Sequence, residues 1–225
     1  MKLESRKLQL GLWHVILGCA VLPCIHAQAQ TPTGSLVCTP VTQRASEQGC
    51  YILVNDSLGR LPEGPLYWHI DRYPTRAAAD EHRGSTGTVV MAYGTAWVMT
   101  IAPAGFRSVG GDHIAEVGPL PLDSSGPHTA VYMETTFAPG PVAGGHTHSG
   151  PEAFYVLQGR QCLETPDGKL VTNAGEGGIV RGGVAMELTA IGEQQRRALV
   201  LILHDSSQRA TTPVTSWRPQ GLCKS

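Results

Sequence analysis

Residues 112–205 leave no room for a helix. Eight apolar runs of strand length, at 113–117, 129–137, 152–157, 160–165, 169–172, 178–181, 186–191 and 197–204, fill this stretch, and every gap between them contains at least one Gly. Glycine-punctuated runs of this length read as strands joined by turns. Parallel neighbours would each need a crossover of about a dozen residues or more, usually helical. Antiparallel strands are what remain, closed into a barrel or a double-sheet jelly roll. The 27 Gly, 16 Pro and only 16% charged residues suit such a fold, and 225 residues suffice for one well-buried core.

The preceding stretch has a different texture. Residues 30–65 are rich in Thr, Ser, Gly and Pro around one apolar run at 50–54. Residues 66–72 read as a strand, and Thr75 as the N-cap of a short Ala-rich helix ending before Gly84. Strands at 88–92 and 95–101 flank a Tyr93–Gly94 turn. The expected organisation is an α+β extension over 30–111 packed on a barrel at 112–205, followed by a tail at 206–225. Trp68, His69 and Trp97 read as core residues, because a lone His among apolar neighbours is usually structural.

Residues 1–29 have the layout of a secretory signal: Lys2, Arg6 and Lys7, an apolar stretch from Leu8 to Ile25, then Ala27-Gln28-Ala29 as a cleavage site. The expected mature chain starts at Gln30 and is periplasmic or secreted, touching a membrane only through an uncleaved signal. A lipid-modified Cys19 is a minor alternative. Four cysteines remain, Cys38, Cys50, Cys162 and Cys223, an even set suited to an oxidising compartment. Cys38 with Cys50 and Cys162 with Cys223 is the preferred pairing of the three available. With 17 basic against 18 acidic residues and no basic stripe, nucleic acid is excluded as a partner. The sequence holds no Walker A loop, dinucleotide fingerprint or nucleophile elbow.

One constellation carries chemistry. His146 and His148 are two apart, so in extended chain both imidazoles point to one face. Glu152 follows a Ser149-Gly150-Pro151 turn that can bring its carboxylate back to the same point. Two imidazoles and a carboxylate form a facial set with open positions for water or substrate. His128 and His204 are secondary candidates near the barrel mouth.

These residues, in the pattern Gly140-x5-His146-x-His148-x3-Glu152-x6-Gly159, resemble the first motif of the cupin superfamily in full. The second motif is matched in spacing over Gly175-x5-Arg181-x-Gly183-x2-Met186-x3-Ala190, with Arg181, Met186 and Ala190 replacing the usual proline, histidine and asparagine. The resemblance covers about 112–205 and implies a double-stranded β-helix with one divalent metal. His146, His148 and Glu152 are the implied ligands. Met186 stands where a fourth ligand is usual. If it only packs, Fe, Mn or Zn is favoured; if its thioether binds, Cu is; and if the site has lost its metal, the barrel only holds a ligand. Arg181 is a candidate substrate contact.

Cupins span dioxygenases, isomerases, decarboxylases, regulators and storage proteins, so fold alone names no reaction. The implied function is an exported metal-dependent enzyme of dioxygenase or isomerase type acting on a small polar molecule, with a homodimer allowed. The alternative is a small-ligand-binding or sensing module without catalysis.

Overall fold

The computed structural model describes residues 38–123 and 125–224. The expected signal at 1–29, with Cys19 and Cys24, lies outside the described residues. In chain order the elements are β1 (Thr39–Pro40), a 3-10 turn (Val41–Gln43), β2 (Gly49–Arg60), β3 (Tyr67–Tyr73), α1 (Arg76–His82), β4 (Gly87–Ala92), β5 (Thr95–Ala102), β6 (Asp112–Val117), β7 (Pro127–Phe137) and β8 (Gly140–His148). Then follow β9 (Glu152–Gln158), β10 (Arg160–Thr165), β11 (Gly168–Asn173), β12 (Gly177–Val180), β13 (Met186–Ile191), β14 (Arg196–Asp205) and β15 (Thr211–Pro213).

Strands β7 to β14 wind through two facing sheets, changing sheet at every step except the β10–β11 hairpin. One runs β1-β2-β7-β14-β9-β12 and the other β11-β10-β13-β8-β15, the strand order of an eight-stranded jelly roll with additions at its edges. A third sheet, β4-β5-β3-β6, forms an outer layer. The strand expected at 113–117 is a correction: as β6 it pairs with β3 in this outer layer, not with the barrel. The eighth barrel strand is β8, whose Gly-Pro-Val-Ala-Gly-Gly opening carries too little apolar alternation to read as a strand. From the N-terminal stretch, β2 joins the barrel beside β7, and from the tail, β15 joins it beside β8.

Period-2 alternation explains why β14 is apolar throughout. Ala198, Val200 and Ile202 point into the barrel with Val131, Met133 and Phe154. Leu199, Leu201 and Leu203 point the other way, against Trp68, Ile70 and Met99 of the outer sheet. Burying each such Leu stabilises the fold by about 1.5–3 kcal/mol.

Local signals set the connections. Thr75 caps α1, its side chain accepting from the Ala78 N–H at 3.1 Å. Tyr93 (φ 53) and Gly94 (φ 73) both take the left-handed conformation that a two-residue hairpin of this twist requires. The Tyr93 hydroxyl is buried against the barrel, accepting from the Thr135 N–H at 3.0 Å and donating to the Thr135 carbonyl at 2.8 Å. Both expected disulfides form: Cys38–Cys50 tethers the chain to β2, and Cys162–Cys223 ties the tail to β10 across a separation of 61 residues. Closing a loop of that length constrains the unfolded chain by about 4 kcal/mol.

Candidate metal centre

His146 and His148 close strand β8, and Glu152 opens β9 after a turn that only glycine permits. A Cβ on Gly150 would meet the Leu203 carbonyl oxygen at 2.0 Å, so the turn lies flat on β14. Backbone bonds hold it there: Leu203 N–H donates to the Pro151 carbonyl at 3.0 Å, and Gly183 N–H to the His148 carbonyl at 2.8 Å. Glu152 then pairs with Ile202 on one side and Val180 on the other, its side chain turned into the barrel.

One donor atom from each of His146, His148 and Glu152 lies within 4.8 Å of the other two. His146 Nδ1 is 2.8 Å from the Gly144 carbonyl and His148 Nδ1 is 3.0 Å from the Ala210 carbonyl. A carbonyl only accepts, so both Nδ1 atoms carry hydrogen and both Nε2 atoms can offer lone pairs. His148 Nε2 is buried with no hydrogen-bond partner among the described residues, 3.2 Å from Glu152 Oε2. Two ligand atoms each about 2.0–2.1 Å from one ion sit about 3.0–3.4 Å apart at octahedral or tetrahedral angles. These residues therefore fit a divalent ion. Strand β15, from the tail, supports the ring: Thr211 lies opposite His148, its hydroxyl 3.1 Å from Nδ1.

Electrostatics at the site favour a proton or a cation between these groups. Burial disfavours the His148 imidazolium, but Glu152 and the Ala210 carbonyl outweigh it and hold the pKa above the ordinary imidazole value. Burial likewise opposes ionisation of Glu152, and His148 outweighs it, holding that carboxyl below its ordinary value. Burial lowers His146. A metal would have to displace any proton held at His148 Nε2 beside Glu152. Metal occupancy at fixed free-metal concentration should thus fall as pH drops, with its midpoint above that of an unperturbed histidine site. Mn(II) or Zn(II) titrations between about pH 5 and 8 measure this.

The three residues open onto a cavity of about 370 Å³ inside the barrel. Its wall is largely apolar, with Val131, Met133, Phe137, Phe154 and Leu163 among the lining residues. Met186 lines it too, fully buried and opposite His146 in the β13–β8 register. Arg181 does not reach it. That side chain is exposed on the outer surface, 3.6 Å from Asp167, because β12 ends one residue earlier at Val180 and the chain turns outward. His128 and His204 are buried at the β7 and β14 ends but do not line the cavity.

The arginine that does line it is Arg196. It is fully buried at the start of β14, in phase with Ala198, Val200 and Ile202. Its Nε donates to Gln161 Oε1 at 2.9 Å, and its terminal nitrogens donate to Gln161 Oε1 and Thr135 Oγ1. All these acceptors are neutral, and they use three of the guanidinium's five N–H donors. Burial pushes its pKa down to about 10, so the cation persists at neutral pH. A strand read as starting at 197 hides this residue; the same apolar alternation extended one position back would have found it.

The two motif stretches meet edge to edge, β8 pairing with β13 and β9 with β12, within an eight-stranded jelly roll. The barrel has the cupin fold. No protein-family model and no curated protein matches the sequence. Solved structures similar to part of it include a cupin superfamily protein of Desulfitobacterium hafniense, at 17% identity over 34% of this chain and 68% of the other, with a TM-score of 0.31. A cupin-like protein of Thermotoga maritima matches at 12% identity over 41% and 83%, with a TM-score of 0.35. Oxalate decarboxylase of Bacillus subtilis matches at 21% identity over 40% of this chain and 24% of its own length, with a TM-score of 0.32. In this barrel His146, His148 and Glu152 share one cavity with a buried arginine.

Proposed function

We propose that the cavity is a metal-dependent active site, of dioxygenase or isomerase type, for a small anionic molecule. The observation that carries this is the pairing of a two-histidine, one-carboxylate set with the buried Arg196 guanidinium in one largely apolar cavity. His146, His148 and Glu152 would hold one divalent ion, Fe, Mn or Zn before Cu, with Met186 packing beside it. When bound, the ion supplies a Lewis-acid centre, or a redox centre if it is iron or copper. With that ion in place, the charges of Glu152 and Arg196 leave the cavity at about +2, which an anion would neutralise. Arg196 would grip a carboxylate through its two free N–H donors and orient it towards the metal. The apolar wall would exclude water around the bound molecule. Export remains part of this proposal: two disulfides suit an oxidising compartment, and no helix among the described residues is long and apolar enough to cross a membrane.

A second reading, a binding module without turnover, draws support from the cavity lining. Apart from the three ligand residues and Arg196, no titratable side chain lines the cavity among the described residues. Metal analysis of untagged protein, followed by incubation of the Fe(II), Mn(II) and Zn(II) forms with C2 to C5 carboxylic acids, separates the two. Consumption of an acid in the loaded form only is the expected result. Thermal stabilisation by acids without any consumption would favour the module, and neither effect would reject both readings.

A further inference from the structure

A second cluster of ligating groups lies on the outer sheet, away from the barrel cavity. His69 is on β3, and His113 and Glu116 are on β6. Residues three apart on a strand normally face opposite ways. Here β6 carries a bulge: Ala115 pairs with Ile70 and His113 with Asp71, so Ile114 is skipped. The bulge turns His113 to the same face as Glu116, which pairs with His69. Ligating atoms of His69, His113 and Glu116 come within 4.8 Å of one another.

Hydrogen bonds fix which atoms are available. His69 Nε2 lies 3.0 Å from the Pro103 carbonyl, so it carries the hydrogen and Nδ1 is left with a lone pair. That ring is fully buried, and Nδ1 has no hydrogen-bond partner among the described residues although Glu116 Oε2 is 3.7 Å away. His113 Nδ1 is 2.9 Å from Oδ1 of the buried Asp71, so it donates there and Nε2 keeps its lone pair. Asp71 in turn accepts from Ser108 Oγ at 2.9 Å. A carboxylate behind a histidine is the arrangement that orients the ring and raises its basicity as a metal ligand. On Glu116, the Gly105 N–H (2.8 Å), Arg107 (3.3 Å) and the His69 contact all fall on Oε2, and none of these on Oε1.

We propose that His69, His113 and Glu116 form a second metal site, for Zn(II), that fastens the 103–111 loop to the outer sheet. Two imidazoles and one carboxylate match zinc's ligand preferences, with water completing four-coordination. A cation between the buried His69 lone pair and the Glu116 carboxylate removes an otherwise repulsive contact. The loop is already tied to the same groups through Pro103, Gly105, Arg107 and Ser108, so zinc would lock together contacts that are individually weak.

The test is zinc stoichiometry on the full, untagged chain, and it does not depend on the barrel centre being a metal site. His148→Ala should retain one tight zinc, and His113→Ala placed in that background should lose it. Asp71→Asn, which keeps shape but weakens the support of His113, should lower affinity by about 10–100-fold. Glu116→Gln serves as the second ligand variant, because it preserves volume where His113→Ala could unfold the sheet. Zinc should also slow amide exchange across 103–111 in His148→Ala, and Glu116→Gln should abolish that protection. If His148→Ala binds no zinc, or if neither His113→Ala nor Glu116→Gln changes what it binds, the site is refuted.

Discussion

His148→Ala is expected to lower metal affinity at the barrel centre by at least about 100-fold. Changing a residue that merely supports a ligand typically costs 10–100-fold, and His148 contributes a donor atom aimed at the site from a buried, oriented ring. The measurement is metal per chain after dialysis against buffered free metal, in a His113→Ala background so that the outer cluster does not mask the loss. The metal-free variant should also melt lower, by on the order of 3 kcal/mol, because Glu152 stays buried with one of its two imidazole neighbours gone. Near-UV circular dichroism reports whether the barrel remains packed. Met186→Leu is the internal control: it keeps the volume and removes the sulfur. Unchanged Fe, Mn and Zn binding is expected of it, and a loss confined to copper would make the thioether a ligand. A His148→Ala protein that keeps a full equivalent in that background would remove the barrel triad from consideration.

Arg196→Met should separate stability from ligand binding. Replacing a buried guanidinium with an apolar side chain of comparable length removes a large desolvation cost, though Gln161 Oε1 and Thr135 Oγ1 lose their donor. The two effects oppose each other, and a net change within about 2 kcal/mol follows. Anion affinity has no such compensation. A small carboxylate loses its charge-assisted hydrogen bonds, about 1.5–3 kcal/mol each, and binding should weaken by 100-fold or more. Calorimetric titration of the metal-loaded protein with a small dicarboxylic acid, beside its uncharged amide, reads this directly. Equal affinity of Arg196→Met and wild type for the acid would leave the guanidinium a purely structural group.

Much of the site was legible in the chain because its determinants are local. The His-x-His pair needs only extended backbone to converge, and the Ser149-Gly150-Pro151 turn needs only glycine's lack of a side chain to fold flat. The Thr75 cap and the Tyr93–Gly94 hairpin belong to the same class, each resting on a few adjacent residues, whereas the two disulfides were one of three pairings that the four cysteines allow. The misplaced strands had the opposite character. Val117 on β6 packs against barrel residues such as Tyr155 and Leu199 as well as Trp68 and Ile70, so nothing in its own run of residues says that β6 pairs with β3.

Arg196 and the His69 cluster show what local pattern cannot carry. From residues 194–198 alone, Arg196 is one of two adjacent arginines; its inward direction depends on where β14 begins, which its pairing with Phe137 on β7 decides. His69, Asp71, His113 and Glu116 span nearly fifty residues, and a single bulge in β6 sets whether His113 faces the others. Alternation along the chain, glycine placement and the spacing of His146, His148 and Glu152 determined the all-β barrel, its turns and the convergence of the three side chains. Strand partnership, the bulge and the burial of Arg196 were decided by the tertiary structure, because each is settled by the competition of distant surfaces for the same apolar face rather than by any short run of residues.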